Sequence, residues 1–223
     1  MKSLQKIKLV IFDLDGTLVD AYPAIIESFN FTMQKLGYPK RKGSVIRKAV
    51  GWGDENLLKP FVKEEDLTQA LSIYRKHHEK SLIRKSKVFS GVFKVLDFLK
   101  RNNIKVAVAS NRPTKFSLIL IRHLGLDKYL DYVLCADKIK QIKPNPYLLN
   151  KIISHFKVLP YQALYVGDMA IDAQAGKNAQ IKTIIVTTGS NTYKEVFKER
   201  PFKIIRKITE LLRIIPAYIS NKT

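Results

Sequence analysis

Cysteine is almost absent: Cys135 is the only one in 223 residues, which excludes a disulfide framework and a cysteine-built zinc site within one chain. That scarcity suits a reducing compartment, and a cytoplasmic location is expected. No apolar run approaches the ~18 residues of a membrane span, so none is expected. The opening "MKSLQKIKLVIF" has a basic start, but its apolar run is short and is broken by Asp13. It fits a first strand better than a secretory signal. Acidic residues are also scarce, with 19 Asp+Glu against 40 Lys+Arg and a formal charge of +21. An anionic partner such as nucleic acid is one reading of that imbalance. The cations, however, scatter in twos and threes, as in "PKRKGSVIRK", "RKSK" and "IIRK", with no dense basic run interleaved with aromatics. A solvated lysine-rich surface is therefore expected and a nucleic-acid partner is not. Steering of a small phosphorylated anion follows in either case. Internal repeats and low-complexity tracts are missing.

Hydrophobic content, at 46%, supports a globular core. Short apolar runs recur at "LVIF" (9–12), "IKVAVAS" (104–110), "YVLCA" (132–136), "QALYVGD" (162–168) and "IKTIIVTTG" (181–189), with "FKII" (202–205) as a last short strand. Their near-continuous apolarity predicts strands buried on both faces of a parallel sheet. Between them lie helical patterns. Val92, Val95, Leu96 and Leu99 form one stripe with Ser90 as an N-cap, and Phe116, Leu120 and Leu124 another, stopped by Gly125. "ITELLRIIPAYIS" reads as a short terminal helix packed on the core. Strands alternating with helices imply an α/β, doubly wound, Rossmann-like sheet. Residues 18–85 break that alternation, with no convincing strand. Ile25, Phe29, Met33 and Leu36 form one helical stripe there, closed by Gly37, and Leu67, Leu71, Tyr74 and His78 form another. The expected organisation is a core of residues 1–17 and 86–223 carrying an inserted helical domain at 18–85.

Four polar clusters stand at predicted strand ends, where such sheets bind ligands. In "LVIFDLDGTLVD", Asp13 and Asp15 are two apart and address one volume, while Gly16 permits a sharp turn. A plain turn signal reads the same way. In "AVASNR", Ser110 and Asn111 offer a hydroxyl and an amide to an anion, or cap a helix. Lys143 in "IKPNPYLL" is held before two prolines, beside a carboxylate or simply on the surface. In "LYVGDMAIDAQAG", Asp168 and Asp172 suit a hard cation such as Mg²⁺, or serve a helix N-terminus. Each alternative is respectable alone; four coincidences in one sheet are not expected.

"DLDGT", "SN", "KPNP" and "GDMAID", in that order, resemble the four motifs of the haloacid dehalogenase superfamily, and the helical insert resembles its C1 cap. The resemblance spans nearly the whole chain. It implies Mg²⁺-dependent phosphoryl transfer through an aspartyl-phosphate. By it, Asp13 is the nucleophile and Asp15 the general acid/base. Ser110 and the Asn111 backbone hold the phosphoryl group, and Lys143 orients Asp13. Asp13, the Asp15 carbonyl and Asp168 bind Mg²⁺, with Asp172 supporting or joining them. An aspartate at position 15 favours a phosphatase or phosphomutase over a dehalogenase.

"VGWGDENLL" (50–58) resembles the Gly-rich cap motif of phosphoglycolate phosphatases and related enzymes. It would place Gly51 and Gly53 in a turn over the site, with Trp52 or Arg47 near a small phosphorylated metabolite. A plain glycine turn with Trp52 in the packing is the alternative. The chain departs from the pattern at Met169, where Ser or Thr is frequent, and at Gln180, which replaces a common glycine. A β-phosphoglucomutase-like mutase, a pyrophosphatase or a nucleotidase would use the same core. An inactive basic nucleic-acid-binding module would bind with steep salt dependence and ignore the loss of Asp13.

Overall fold

A computed structural model describes residues 6–218; residues 1–5 of the opening segment and 219–223 of the terminal one lie outside the described residues. The chain runs β1 (Leu9–Phe12), β2 (Val19–Asp20), α1 (Tyr22–Lys35), α2 (Gly43–Ala49), α3 (Asp54–Leu58), α4 (Leu67–Lys85) and β3 (Lys87–Val88). It continues with α5 (Val92–Arg101), β4 (Lys105–Ser110), α6 (Thr114–His123), β5 (Tyr132–Cys135), α7 (Tyr147–His155) and β6 (Ala163–Gly167). It ends with α8 (Ala170–Asn178), β7 (Lys182–Val186), α9 (Tyr193–Lys198), β8 (Lys203–Ile205) and α10 (Leu211–Ile214).

Six strands form one sheet in the order β5-β4-β1-β6-β7-β8, and every pairing is parallel. β1 explains its own sequence. Val10 and Phe12 join the hydrophobic cluster on one face, while Leu9 and Ile11 join the cluster on the other. Both faces are covered, so the alternation of a half-exposed strand disappears into a continuous apolar run. Each such side chain contributes roughly 1.5–3 kcal/mol by its burial. The chain winds outward from β1 to β4 and β5, then returns to β6 on the opposite side, so the switch point lies at β1.

Helices α1–α4 form the inserted helical layer, in which α1 packs against α4 and α4 reaches α6 of the core. The reading of residues 18–85 as strand-free needs one correction. Val19 and Asp20 pair antiparallel with Val88 and Lys87, making a two-stranded ribbon at the root of the insert. Strands of two residues carry no readable periodicity. A second correction concerns Ser90: α5 starts from Gly91, whose φ is +84°, without a side-chain cap. The stripe Val92, Val95, Leu96 and Leu99 is buried as expected. Gln180 has φ +58°, a conformation that glycine adopts without strain, which accounts for glycine being usual there.

Candidate active site

The carboxyl ends of β1, β4 and β6 converge because β1 is flanked by the other two. The Asp13 N–H donates to the Val166 carbonyl at 2.8 Å, which sets the first carboxylate just past the strand end. Ser110 closes β4, and Asp168 follows Gly167 at the end of β6. Asp13, Ser110, Asp168, Asp172 and Lys143 are all buried. The turn after β1 folds back over Asp168. Gly16 has φ +84°, and a Cβ there would run into the Asp168 carboxylate, so the close approach requires glycine. The Thr17 hydroxyl donates to Asp168 Oδ1 at 2.9 Å, and the Tyr22 hydroxyl to Oδ2 at 3.4 Å.

Lys143 is the hub of the buried charges. Its Nζ meets Asp13 Oδ1 at 2.6 Å, Asp172 Oδ1 at 2.8 Å, the Tyr165 hydroxyl at 3.0 Å and the Ala109 carbonyl at 3.2 Å. Burial opposes its charge, but Asp13 and Asp172 hold its pKa well above the ordinary lysine value. Tyr165 donates to Asp172 Oδ1 at 2.6 Å, while Asp172 Oδ2 accepts the N–H groups of Asp168 and Met169 at 3.2 and 3.0 Å. Both oxygens of Asp172 are thus engaged by protein donors. At Asp13 only Oδ1 accepts a side-chain hydrogen bond among the described residues, and the residue lines the pocket.

These carboxylates are short of positive charge. Burial pushes Asp13 up from 3.8 to about 7, with Lys143 opposing and Asp172 adding to the rise. Burial, then Asp13 and Asp172, push Asp168 well above the usual carboxylate range. Asp13, Asp168 and Asp172 can each bring an oxygen within 4.8 Å of the others. Three buried carboxylates facing one ammonium are a donor set that a hard divalent cation fits; Asp13 has an oxygen with no side-chain donor, and the Asp168 oxygens meet only the Thr17 and Tyr22 hydroxyls among side-chain donors in the described residues.

Asp15 lies on the opposite wall. Arg112 forks onto it, Nε to Oδ2 at 2.7 Å and Nη2 to Oδ1 at 2.8 Å. The third arm, Nη1, meets Nε2 of His78 from α4 at 2.8 Å. Arginine always donates, so His78 Nε2 accepts and its Nδ1 carries the proton, facing the Ser28 hydroxyl at 3.2 Å. Burial, with Arg112 beside it, holds the His78 pKa well below its ordinary value, in keeping with a neutral ring.

The chain matches the description "Haloacid dehalogenase-like hydrolase" over residues 10–186, which takes in all four clusters. The chain belongs to the haloacid dehalogenase-like hydrolase family. Within that family its likeness is to phosphatases. It is 29% identical over 220 residues to a phosphoglycolate phosphatase of Nitrosococcus oceani, covering 95% of this chain and 98% of the relative. It is 32% identical over 186 residues to a plasmid-borne phosphoglycolate phosphatase of Cupriavidus necator, covering 81% and 80%. A crystal structure of a predicted phosphoglycolate phosphatase from Haemophilus somnus superposes with a TM-score of 0.88 at 25% identity, covering 93% of this chain and 97% of that one.

Against the family's motifs, the structure brings Asp13, Asp15, Ser110, Asn111, Lys143 and Asp172 around one pocket, with Gly51 and Gly53 at its rim. Ser110 and Asn111 do not cap α6, whose N-cap is Pro113; the Ser110 hydroxyl accepts the Arg112 N–H at 3.2 Å. The Asn111 amide accepts the Lys143 N–H at 3.0 Å and donates to the Gly51 carbonyl at 2.8 Å, tying motif loop to insert. Arg47 and Trp52 are not brought into the pocket lining. Arg47 lies over the Tyr22 ring at 3.8 Å, and Trp52 is 40% exposed. Met169 packs its thioether beneath Gly51, 3.0 Å from where a Cβ would stand. Thr17, Tyr22, His78, Arg112 and Tyr165 are members of the site that sequence reasoning passed over. Thr17 closes "DLDGT" and Arg112 follows "SN" directly, which is the available signal; His78 stands in sequence only as part of an apolar stripe.

Proposed function

We propose that this phosphatase hydrolyses small phosphomonoesters, with 2-phosphoglycolate as the leading substrate, through a phosphoryl group carried on Asp13. The observation that carries this reading is the Asp13–Lys143 pair at 2.6 Å on Oδ1, with Asp13 lining the pocket and its second oxygen without a side-chain donor among the described residues. Asp13 Oδ2 attacks phosphorus as the bond to the leaving oxygen breaks, and Asp15 gives that oxygen its proton. Water then attacks the phosphoryl group; Asp15 takes the water's proton, and the Asp13–phosphorus bond breaks to release phosphate. Dividing the displacement in two lowers each barrier. Lys143 keeps Asp13 ionised and aimed, held in turn by Asp172 and Tyr165. The Ser110 hydroxyl and the backbone N–H at Asn111 bind the transferring oxygens. Asp13, Asp168 and the Asp15 carbonyl would hold Mg²⁺, whose chemistry there is Lewis-acid polarisation of the phosphoryl oxygens. The helical insert, taken as residues 18–85, covers the pocket and selects the leaving group.

Phosphate release from a panel of phosphomonoesters tests the reading, with and without Mg²⁺. Asp13→Asn is expected to lose turnover by on the order of 10⁶-fold, the scale of deleting a nucleophile. Asp15→Asn is expected to lose about 10²–10⁴-fold, the scale of general acid–base catalysis. Undiminished release by Asp13→Asn would sink the mechanism.

A further inference from the structure

Among the described residues two permanent cations line the pocket, Lys143 and Arg112. They are committed differently. The Lys143 ammonium already meets four oxygens. The Arg112 guanidinium has five N–H groups. Two go to Asp15 and one to His78, which leaves one on Nη1 and one on Nη2. The group is held firmly all the same. Its side chain is 8% exposed, and His78, which accepts its Nη1–H, is stacked on Tyr74 at 4.8 Å and set edge-on to Phe116 at 5.5 Å.

The fork on Asp15 conflicts with the work assigned to Asp15. Both carboxylate oxygens accept from Arg112 in this arrangement, so neither is placed to give a proton to a leaving oxygen. Asp15 becomes available when the guanidinium takes another anion. We propose that Arg112 exchanges Asp15 for a carboxylate on the leaving side of the substrate, so that a substrate carrying that charge frees its own general acid. The proposal rests on the phosphatase reading above and names its specificity residue. Distance sets the size of the substrate. The guanidinium that holds Asp15 at 2.7–2.8 Å would take the carboxylate in the place Asp15 leaves, next to the leaving oxygen that Asp15 serves, so a carboxylate on a short chain from the ester oxygen fits. The remaining wall, with Ile25, Val50, Leu57 and Phe116, offers a longer polar substrate no further cation. Phosphate esters of short 2-hydroxy acids meet these demands. His78 is a positioning residue: it reaches Arg112 from the insert and so couples the seating of α4 to the aim of the fork.

The test is a charge series of similar size on the wild-type enzyme: 2-phosphoglycolate, ethyl phosphate and phosphoethanolamine. The expected order of kcat/KM is carboxylate, then neutral, then ammonium. The first step is expected to be on the order of 100-fold, the scale of a charge-assisted hydrogen-bonded pair. Because Asp15 is released only by the anion, part of the difference falls in kcat and not only in KM. Arg112→Lys and Arg112→Gln are expected to flatten the series, and His78→Leu to flatten it partly, with His78→Gln retaining more. If the variants do not fold, the Arg112 Nε–H resonance of the wild type is the second readout. It is expected to move on adding glycolate with Mg²⁺ and inorganic phosphate, and not with ethanol in place of glycolate. Equal turnover of all three esters by the wild type, or parallel losses on all three in the Arg112 variants, overturns the proposal and leaves the phosphatase reading standing. Turnover of none of them overturns both.

Discussion

The two walls of the pocket are built on opposite plans. On the Lys143 wall every group comes from the sheet and its connections, lies buried, and is held by several partners. On the Arg112 wall the polar chain crosses from core to insert, from Asp15 through Arg112 to His78 and Ser28. On the first wall the Lys143 ammonium meets four oxygens and cannot move without leaving a charge unpaired. The second has spare donors and a partner that can be exchanged. In the proposed mechanism the nucleophile is thus set in the rigid half, and the general acid with the choice of leaving group in the half that can move.

Removing the ammonium probes the rigid wall most harshly. Lys143→Met leaves Asp13 and Asp172 buried without their cation, and breaking a buried pair in that way costs about 3–5 kcal/mol. Urea denaturation in chelator measures it. Arg75→Ala is the matched control, since its pair with Asp54 has an arginine 48% exposed, and an exposed pair is worth ~1 kcal/mol or less. Similar losses in both variants would remove the distinction between the walls. Activity of Lys143→Met is expected to fall on the order of 10³-fold.

Acid and metal act on the same wall with a definite sign. A carboxyl whose pKa is raised by folding keeps its proton where the unfolded chain has lost it. The resulting stability is complete below 3.8 and is lost as pH rises through about 7 for Asp13, with Asp168 acting in the same direction. His78, held below its ordinary 6.5, works the other way and is stabilising at high pH. A cation bound by Asp13 and Asp168 needs them ionised, so its stabilisation grows with pH while the His78 contribution cancels from the difference. Melting temperatures in Mg²⁺ and in chelator are expected to differ little near pH 5 and to separate by several degrees near pH 8. A gap that does not widen with pH would detach the metal from these carboxylates.

How much of this could be read from the chain follows the same division. The rigid wall was legible: Asp13, Ser110, Lys143 and Asp168 each stand at the end of an apolar run or beside a proline, so local sequence marks them. The six sheet strands were legible because burial on both faces leaves uninterrupted Val, Ile and Leu. The ribbon at Val19–Asp20 and Lys87–Val88 was not, because two residues have no period. The exchangeable wall was not legible either. His78 occupies an apolar helical position and acquires its partner, Arg112, thirty-four residues away, only through the packing of α4 on α6. Arg47 and Trp52 stand beside the glycines of the insert in sequence, but neither joins the pocket lining: Arg47 lies in α2 over the Tyr22 ring, and Trp52 is exposed. Side-chain direction at a loop is set by φ and by neighbours, and neither is printed in the sequence.

Asn111 joins the walls and gives the mildest test of their difference. Its Oδ1 accepts the Lys143 N–H at 3.0 Å, an internal bond of the rigid wall, while its Nδ2 donates to the Gly51 carbonyl of the insert at 2.8 Å and to the Lys143 carbonyl at 3.2 Å. Asn111→Ala leaves the buried Lys143 N–H unsatisfied, which costs about 1–3 kcal/mol. The same change frees the loop at Gly51 from the core, so the insert closes less firmly over a bound ester. KM is therefore expected to rise severalfold while kcat falls less, because the Lys143 ammonium keeps its own four oxygen partners. Asn111→Asp keeps the acceptor for the Lys143 N–H but turns its second oxygen onto the carbonyls of Gly51 and Lys143, so the tie to Gly51 is lost and a buried charge is added. If denaturation and kinetics recover together in Asn111→Asp, the two bonds act as one unit and the walls are less independent than their construction implies. A KM that stays high, with stability recovered at most in part, is the expected result, because the carbonyls of Gly51 and Lys143 need a donor that a carboxylate does not have.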